Sequence, residues 1–330
     1  MTDAGALDRL ANWPRLTLAQ LPTRLLQAPR LSSDLGGGPI YIKMDAETGF
    51  ALGGNKVRKL EFELAPARLE GVTHLVTAGG PQSNHCRVTA ACAARLGLAC
   101  VLVTNGPEPD RPTGNALLHR LFGATIETVE DRAHRAAGME AAAKRIASSG
   151  GRALVVPIGA STGLGCLGYA TAAIELVTQL DALGDGRSQT VLIGSTSSGG
   201  TMAGLLLGLA LLGRDDVRLL GVSADAPADE LTDTARALAA EGAELLGAAP
   251  DLGSIHLETI DDQVGAGYGI PTPDSDAALR DFARLEGVVL DPTYTAKAAA
   301  GLINRLRTEA LTASERVVFL HSGGAPGLLS

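Results

Sequence analysis

The sequence predicts an α/β protein with two open, twisted, mostly parallel sheets that carry helices on both faces, and with a cleft between the two units. Short apolar runs alternate with helical patterns along most of the 330 residues, and strands separated by such helices pair in parallel through right-handed crossovers. Segments such as TVLIG, RLLGV and RVVFL are apolar on both faces, as expected where helices cover both sides of a sheet.

The first series of elements begins with a strand at 39–44, in which Ile40 and Ile42 alternate with Tyr41 and Lys43. The helices that follow are predicted from apolar residues three and four positions apart. In this half the pattern predicts further strands at 74–77, 100–104, 125–129 and 153–157, and helices at 57–68, 84–96, 115–122 and 133–148.

A second series of the same kind fills the rest of the chain. Its strands are predicted at 190–194, 218–223, 255–259, 288–290 and 317–320, and its helices at 168–183, 201–212, 229–246, 275–285 and 296–309. No low-complexity segment or short-period repeat interrupts either series. Two similar α/β units therefore account for the whole pattern.

The composition favours a protein that acts on small molecules in a reducing compartment. The net charge of -8 and the lack of a basic run argue against a nucleic-acid surface. The N-terminal segment lacks a signal-peptide core, and no apolar run approaches the roughly 18 residues of a membrane span, so we expect a cytoplasmic protein. The histidines show no metal-ligand spacing, so no metal site is predicted. Four cysteines without a C-x-x-C pair are expected to be buried free thiols, namely Cys86, Cys92, Cys100 and Cys166.

A tight glycine turn delivers Lys56 to the start of a predicted helix. Gly53 and Gly54 permit positive φ values and the close approach of a bound group, and Val57 and Leu60 begin the helical pattern. An ammonium is disfavoured at a helix N-terminus, and a lysine that gives up its proton there can form a Schiff base with an aldehyde. Lys56 is therefore a candidate nucleophile, with a solvated surface lysine as the alternative.

Three polar loops follow predicted strands, at the edge of a parallel sheet where ligands bind. The loop after 190–194 joins hydroxyls and glycine amides at a helix start, which favours an anion cradle for a phosphate monoester; a cap plus a turn is the alternative. The loop after 74–77 is dense in polar groups, and the loop after 153–157 offers hydroxyls to a carboxylate. The candidate residues of the three loops are Ser195, Thr196, Ser197, Ser198, Gly199, Gly200 and Thr201, then Gln82, Ser83, Asn84 and His85, then Ser161 and Thr162.

Two of the 4 tyrosines lie in glycine- or proline-bounded loops. Tyr268 stands in GAGYGIP and Tyr294 in DPTYT, away from any periodic apolar face. Loop placement favours a role in a binding site, with a buried tyrosine whose hydroxyl is satisfied as the alternative.

The segment 163–168 matches the G-x-G-x-x-G pattern of dinucleotide-binding folds. It follows a predicted strand and opens a helix. However, it lies in the middle of the chain, and the next strand ends in the phosphate cradle rather than in an acidic ribose-binding residue. Nicotinamide binding is therefore a minor alternative.

The motifs occur in a fixed order along the chain: GGNKVRKLEF, TAGGPQSNH, the Ser/Gly loop, GYGIP, DPTYTAKA and HSGGAP. In this combination the chain resembles the pyridoxal-phosphate enzymes of the D-cysteine desulfhydrase and 1-aminocyclopropane-1-carboxylate deaminase family, from about Leu7 to the C-terminus. The resemblance implies the tryptophan-synthase-β fold, or fold type II, with pyridoxal 5'-phosphate in the cleft and a homodimeric assembly. We accordingly expect a large cofactor-binding domain, 1–47 and 163–330, and a small domain, 48–162.

The same resemblance assigns roles to residues. Lys56 would form the Schiff base with the cofactor and later move the α-proton, and Asn84 would reach the ring hydroxyl. Ser83, with Gln82 or His85, would meet the substrate carboxylate and exchange a proton. The other implied positions are Asn55 beside the cofactor; Ser197, Ser198, Gly199, Gly200 and Thr201 on its phosphate; Thr295 and Ser322 beside the pyridine nitrogen; and Tyr268 and Tyr294 flanking the substrate.

Thr295 and Ser322 help to choose between relatives. The ring-opening deaminases resemble one another in carrying Glu and Leu at these positions, whereas desulfhydrases carry Thr at both. A hydroxyl, unlike a carboxylate, does not hold the pyridine nitrogen strongly protonated, so the ring is a milder electron sink. A milder electron sink suffices when a good leaving group departs from the β-carbon. We therefore predict β-elimination, most simply of D-cysteine to pyruvate, ammonia and sulfide. The deaminase, which forms 2-oxobutyrate, and an L-cysteate sulfo-lyase are alternatives.

Two departures from the family pattern concern the substrate. Relatives usually read Lys-Arg-Asp-Asp where this chain has Lys43-Met44-Asp45-Ala46, and Val88 replaces a common Gln. The cofactor motifs are unaffected by these changes. A non-catalytic binding protein that kept the fold is the third hypothesis.

Overall fold

Two sheets with helices on both faces organise the computed structural model, which describes residues 2–36, 38–106, 110–184, 189–308 and 310–330. The strands are β1 Leu25–Gln27, β2 Ile40–Lys43, β3 His74–Gly79, β4 Ala99–Asn105, β5 Thr125–Val129, β6 Ala153–Val155, β7 Thr190–Thr196, β8 Val217–Ser223, β9 Leu257–Ile260 and β10 Arg316–Leu320. The helices are α1 Ala4–Ala11, α2 Pro29–Leu35, α3 Asn55–Glu63, α4 Asn84–Leu96, α5 Gly114–Leu121, α6 Arg135–Ser148, α7 Gly163–Ala182, α8 Gly200–Leu212, α9 Ala228–Leu245, α10 Pro273–Glu286 and α11 Thr295–Arg307.

The larger sheet has six strands in the order β1-β2-β10-β7-β8-β9, and the smaller has four in the order β5-β4-β3-β6. Among the described strands, every ladder is parallel except that of β1 with β2. The predicted fold class is confirmed. The short elements α1, β1 and α2, of 8, 3 and 7 residues, lie in the N-terminal segment and were not predicted.

The largest differences from the predicted helix bounds are at one end of α3 and one end of α7. α3 ends at Glu63 rather than at position 68, because Pro66 lacks the N–H that a continuing helix needs. α7 begins at Gly163 rather than at position 168, because the Thr162 hydroxyl caps it by accepting from the Gly165 N–H at 2.9 Å.

The strand predicted at 288–290 is wrong. Val288 and Leu290 are buried and Val289 is 48% exposed, which is an alternation of the strand type. The segment nevertheless pairs with no strand in the described part of the chain. The Val289 carbonyl instead accepts from His321 Nε2 at 3.0 Å. An alternating pattern of apolar residues shows that one face of a segment is buried, but it does not show that a neighbouring strand is there to pair with.

Helix α8 is buried along all but its last residue, between the sheet, α7 and α9. Glycines allow α7 and α8 to approach closely: a Cβ on Gly204 would lie 2.1 Å from the Cys166 carbonyl oxygen, and one on Gly208 would lie 2.6 Å from that of Ala170. Each leucine buried here contributes roughly 1.5–3 kcal/mol. This packing fixes the N-terminus of α8 at the end of β7.

Buried charges fix α3 to the larger sheet. Arg58 on α3 contacts Asp45 through Nε and Nη2, both at 2.9 Å, and Glu175 on α7 at 3.0 and 3.1 Å. Lys43 at the end of β2 also pairs with Glu175, and the Tyr169 hydroxyl donates to Asp45 at 2.6 Å. Burial raises the pKa of Asp45, but the charge and hydrogen bonds of Arg58, together with Tyr169 and Lys43, outweigh this effect, and the pKa lies below its ordinary value.

The segment 43–46, which departs from the family pattern, keeps the buried charges that hold α3 in place. Lys43 and Asp45 both belong to the buried charge network, whereas Met44 is buried in the apolar core beside it. Ala46 donates its N–H to the His321 carbonyl at 2.8 Å. The departures at Met44 and Ala46 therefore leave the attachment of α3 intact.

Candidate active site

Loops after strands of both sheets converge on one cavity of 350 Å³. Its walls come from the starts of α3, α4 and α8, and from the loops that follow β5, β6, β8, β9 and β10. Most residues proposed from the sequence are brought together here. The candidates that line the cavity are Asn55, Lys56, Ser83, Asn84, His85, Ser195, Thr196, Ser197, Ser198, Gly199, Thr201, Tyr268, Tyr294 and Ser322.

Lys56 is the second residue of α3, as predicted. Gly54 before it has φ +110°, and a Cβ on Gly53 would lie 1.9 Å from the Ala46 carbonyl oxygen, so this turn requires glycine. Burial lowers the pKa of Lys56 from 10.5 to about 8, an effect that the Asp291 carboxylate partly offsets. The amine that faces the cavity therefore gives up its proton far more readily than an ordinary lysine does.

This pKa predicts how the cofactor-free protein reacts with an aldehyde. The rate of reaction with pyridoxal phosphate is expected to rise with pH and to level off above about 8, the pKa of Lys56, because only the uncharged amine attacks a carbonyl. At pH 7 roughly one amine in ten is uncharged, against fewer than about one in a thousand for an ordinary lysine. Stopped-flow absorbance checks this, and a rate that climbs steadily to pH 10 would contradict it.

The loop between β7 and α8 forms an anion cradle. Gly199 has φ +75°, in the region that favours glycine. A Cβ on Gly200 would lie 2.6 Å from Ser161 Oγ and 2.9 Å from Lys59 Nζ. The Ser161 and Ser198 hydroxyl oxygens are 2.7 Å apart, and the N–H groups at the start of α8 add partial positive charge.

Lys59 is a site residue that the sequence analysis missed. Its side chain is fully buried, and Nζ donates to Ser161 Oγ at 2.9 Å. The ion pairs of the described residues do not include it, and burial together with the charge of Lys56 holds its pKa well below the ordinary value. An uncompensated buried cation is costly, and an anion in the adjacent cradle would offset that cost. The spacing of three from Lys56, one helical turn, was the available signal.

Replacing Lys59 with methionine is expected to weaken binding of pyridoxal phosphate by roughly tenfold to a hundredfold, the worth of one charge-assisted hydrogen bond. Binding of pyridoxal, which lacks the phosphate, should change by less than about twofold if the ammonium acts on the phosphate alone. Fluorescence titration of the cofactor-free protein measures both constants. Lys144→Met, at an exposed lysine on α6, is the matched control. Equal losses for both ligands would show that Lys59 only supports the fold.

The start of α4 presents donors to the cavity. Ser83 caps the helix, since its Oγ accepts from the Cys86 N–H at 3.2 Å, and its O–H remains free to donate. Asn84 Oδ1 accepts from Asn115 Nδ2 at 2.9 Å and from Arg87 Nη1 at 3.3 Å. Its amide NH₂ is therefore the group left for a ligand.

Arg87 is a second residue missed from the sequence. It is fully buried, donates to the Gly53 carbonyl at 2.6 Å and to Asn115 Oδ1 at 3.1 Å, and burial lowers its pKa to about 10. It therefore ties the glycine turn before Lys56 to α4. A positively charged residue inside a helix that otherwise reads as apolar was the signal available in the sequence.

His85 presents an acceptor rather than a donor. Its Nε2 lies 2.8 Å from Thr77 Oγ1, and the Thr77 hydroxyl itself donates to the Val156 carbonyl at 2.7 Å. Thr77 Oγ1 must then accept from Nε2–H, and His85 Nδ1, which has no partner among the described residues, keeps a lone pair. Burial and the charges of Lys56 and Lys59 hold the pKa of His85 well below its ordinary value. This arrangement suits a donor on a ligand and does not favour the predicted carboxylate contact.

Tyr268 and Tyr294 meet at the cavity. Their hydroxyls are hydrogen-bonded, and their rings pack edge to face with centroids 5.9 Å apart. Burial raises the pKa of both, so both hydroxyls are protonated at neutral pH. The loop before Tyr268 is held by the buried Lys297, which donates to the carbonyls of Val264 and Gly267 at 2.7 and 2.9 Å.

The two positions assigned to the pyridine nitrogen lie in different surroundings. Ser322 lines the cavity, and its Oγ is 3.3 Å from Ser195 Oγ. Thr295 is fully buried outside the described lining, and its hydroxyl donates to Asp291 Oδ1 at 2.7 Å. Burial raises the pKa of Asp291, which also accepts from the N–H groups of residues 293–295.

Three predicted substrate-binding residues lie beside the cavity and not in its described lining. Gln82 Oε1 accepts from the Asn115 N–H at 2.8 Å. Thr162 caps α7, and its hydroxyl donates to Glu63. Ser161 lies beside the β7–α8 loop. Their contact with substrate stays a prediction.

The glycines of 163–168 serve packing. A Cβ on Gly165 would lie 2.1 Å from the Ala160 carbonyl oxygen, and one on Gly168 would lie 2.2 Å from that of Arg58. Gly168 therefore lets α7 touch α3, the helix that carries Lys56. The glycine pattern has a structural cause that requires no nucleotide.

The chain belongs to the family described as pyridoxal-phosphate dependent enzyme, which matches residues 16–323. Among curated proteins it is similar to the D-cysteine desulfhydrases of Salmonella typhi and Salmonella paratyphi A, at 42% identity over 98% of this chain and 98% of each relative. The resemblance inferred from the motifs is confirmed.

Solved structures agree with this assignment. A structure described as an ACC deaminase homologue has a TM-score of 0.89 and 32% identity, over 99% of this chain and 97% of the other. The diaminopropionate ammonia lyase of Escherichia coli, at 15% identity and a TM-score of 0.71 over 98% and 90%, shares the fold. No helix of the described residues is both long and apolar enough to cross a membrane.

The residues of the cavity fit pyridoxal phosphate. The buried amine of Lys59 beside the Gly199–Gly200 turn, which an anion would help to protonate, suits its phosphate. The amine of Lys56, with its pKa lowered to about 8, suits its aldehyde. His85, which lines the cavity, has a buried Nδ1 with no hydrogen-bond partner among the described residues.

Proposed function

We propose that this protein is a lyase that removes the β-substituent of a small amino acid, with D-cysteine as substrate and pyruvate, ammonia and sulfide as products. Similarity over 98% of the chain to proteins named D-cysteine desulfhydrase supports the substrate. The observation that carries the reaction type is the Ser322 hydroxyl in the cavity, because a hydroxyl favours a mild electron sink and hence the loss of a good leaving group.

When bound, pyridoxal phosphate supplies an electron-accepting ring that makes the α-proton of an amino acid acidic. Lys56, with a pKa of about 8, takes that proton near neutral pH. The hydroxyl pair of Tyr268 and Tyr294 donates a hydrogen bond to the departing sulfur. The free O–H of Ser83 and the N–H groups at the start of α4 hold the substrate carboxylate.

The cofactor contacts divide between the two sheets. On the larger one, Ser198, Gly199 and Thr201 of the cradle hold the phosphate, with Lys59 as the counter-charge. Asn55 donates to Thr201 Oγ1 at 3.1 Å and so orients the cradle towards α3. On the smaller one, the NH₂ of Asn84 reaches the ring hydroxyl.

A substrate screen tests the proposal. D- and L-cysteine, cysteate, β-chloroalanine, serine and 1-aminocyclopropane-1-carboxylate are each offered to the cofactor-loaded protein, and keto acids are identified by chromatography. Pyruvate and sulfide from D-cysteine are expected to exceed the products of the other amino acids. Faster release of 2-oxobutyrate from the cyclopropane amino acid would instead favour the deaminase, the second candidate, which the ACC deaminase homologue at 32% identity supports.

We also propose that the protein is a cytoplasmic homodimer in which residues 48–162 form the small domain. Four buried free thiols agree with a reducing compartment. Exposed leucines support self-association: Leu52, Leu117, Leu121 and Leu329 are 61%, 41%, 69% and 75% exposed. Sedimentation velocity at micromolar concentration tests the assembly, and a single monomer peak would contradict it.

A further inference from the structure

The mouth of the cavity carries four charged side chains, those of Asp131, Arg132, Arg135 and Asp225. Three of them pair with another side chain of the protein. Arg132 pairs with Asp225 across the mouth at 3.1 Å. Asp131 accepts from His134 Nδ1 at 2.8 Å and from two backbone N–H groups. The fourth, Arg135, has no carboxylate partner among the described residues. The charges of the four side chains sum to zero, and Arg135 is the one that forms no ion pair with a described residue.

Arg135 is the first residue of α6 and is half-buried in the cavity wall. Its Nε and Nη2 donate to the neutral amide oxygen of Asn105, the former at 3.1 Å, and the rest of its N–H donors are left for a ligand. Gly80 lines the cavity beside it, and a Cβ there would only make an ordinary van der Waals contact with Arg135 Nη2, at 3.6 Å. Burial lowers the pKa of Arg135, yet a guanidinium stays charged at neutral pH.

We propose that Arg135 is a specificity-determining residue that binds an anionic substituent on the β-carbon of the substrate, a sulfonate above all. The inference rests on the proposed β-elimination. The fork of N–H donors on a guanidinium matches the oxygens of a sulfonate or carboxylate. The α-carboxylate already has donors at the start of α4, in Ser83 and the helix N–H groups, so Arg135 remains available for a second anion.

Elimination from cysteate balances without a further co-reactant. The α-carbon loses its proton to a base of the protein, and the carbon–sulfur bond breaks with both electrons leaving on sulfite. Water hydrolyses the released 2-aminoacrylate to pyruvate and ammonium. One cysteate and one water thus give one pyruvate, one ammonium and one hydrogen sulfite, with no net oxidation or reduction of an added partner.

The test compares a charged with a neutral β-substituent. Pyruvate release from both enantiomers of cysteate and of β-chloroalanine is measured for the wild type, Arg135→Gln, Arg135→Lys and Arg145→Gln, the last at an exposed arginine of the same helix. Arg135→Gln is expected to raise KM for cysteate at least about tenfold and KM for β-chloroalanine less than about twofold. Arg135→Lys should recover part of the loss, and Arg145→Gln should match the wild type.

A binding measurement separates the two proposals. Calorimetric titration with 3-sulfopropanoate, which lacks the amino group, is expected to give a Kd at least about tenfold weaker in Arg135→Gln than in the wild type. If β-chloroalanine reacts but cysteate does not and 3-sulfopropanoate does not bind, the Arg135 proposal is overturned while the lyase stands. If no amino acid reacts, the lyase proposal fails, and the titration still decides the anion site. Equal changes in KM for cysteate and β-chloroalanine would also overturn the Arg135 proposal. Thermal unfolding verifies that each variant is folded, and Arg135→Lys carries the comparison if Arg135→Gln is not.

Discussion

Replacing Lys56 with alanine is expected to lower pyruvate release by at least about 10³-fold and to abolish the visible absorption of the bound cofactor. Among the described residues that line the cavity, Lys56 carries the one side-chain amine, and burial lowers the pKa of that amine to about 8. The change removes both the covalent attachment and the group that exchanges the α-proton. Steady-state kinetics and the absorption spectrum of the purified variant measure the two effects.

Controls separate chemistry from folding. Lys56→Arg keeps a long cationic side chain but supplies no nucleophile, so it should be as inactive as alanine. Lys144→Ala, at a side chain that is 81% exposed, should behave as the wild type. Retention of a tenth or more of the activity in Lys56→Ala would sink the assignment. A wild-type protein that stays colourless with added cofactor would favour the non-catalytic binding protein.

The features that the sequence predicted correctly are encoded locally. Helix Asn84–Leu96 and strand Thr125–Val129 match the predicted bounds residue for residue, the helix because Ser83 caps one end and Gly97, at φ +69°, the other. The place of Lys56 follows from a glycine turn and a helical period within about ten residues of each other. Such signals need no knowledge of distant parts of the chain.

The features that escaped prediction depend on contacts between distant segments. Lys59 becomes a site residue only because Ser161, 102 positions away, approaches it. The tautomer of His85 is set by Thr77 and by the Val156 carbonyl beyond it. The failed strand at 288–290 had the right alternation and lacked a neighbour. Patterns in a sequence report burial, whereas partners depend on the packing of the whole fold.

Removing Arg58 is expected to cause the largest loss of stability. Arg58→Met would leave the carboxylates of Asp45, which is fully buried, and Glu175 without their main counter-charge. Breaking a buried pair in this way lowers the free energy of unfolding by about 3–5 kcal/mol. Urea unfolding followed by circular dichroism measures the loss. Arg24→Met, at an exposed pair with Glu47, is the matched control and should cost no more than about 1 kcal/mol.

The pH dependence of that loss tests its cause. The folded-state pKa of Asp45 lies below its ordinary 3.8, so its contribution to stability is complete above that ordinary value and is lost as the pH falls through the folded-state value. In Arg58→Met the buried carboxyl of Asp45 would take up a proton more readily, because burial, which raises its pKa, would no longer be opposed by the charge of Arg58. The difference in the free energy of unfolding between wild type and variant should therefore narrow steadily as the pH falls from about 7 to about 3. A difference in the free energy of unfolding that stays constant between pH 7 and pH 3 would mean that Arg58 acts through its packing. The orientation of Lys56 would then depend on the shape of α3 rather than on its charges.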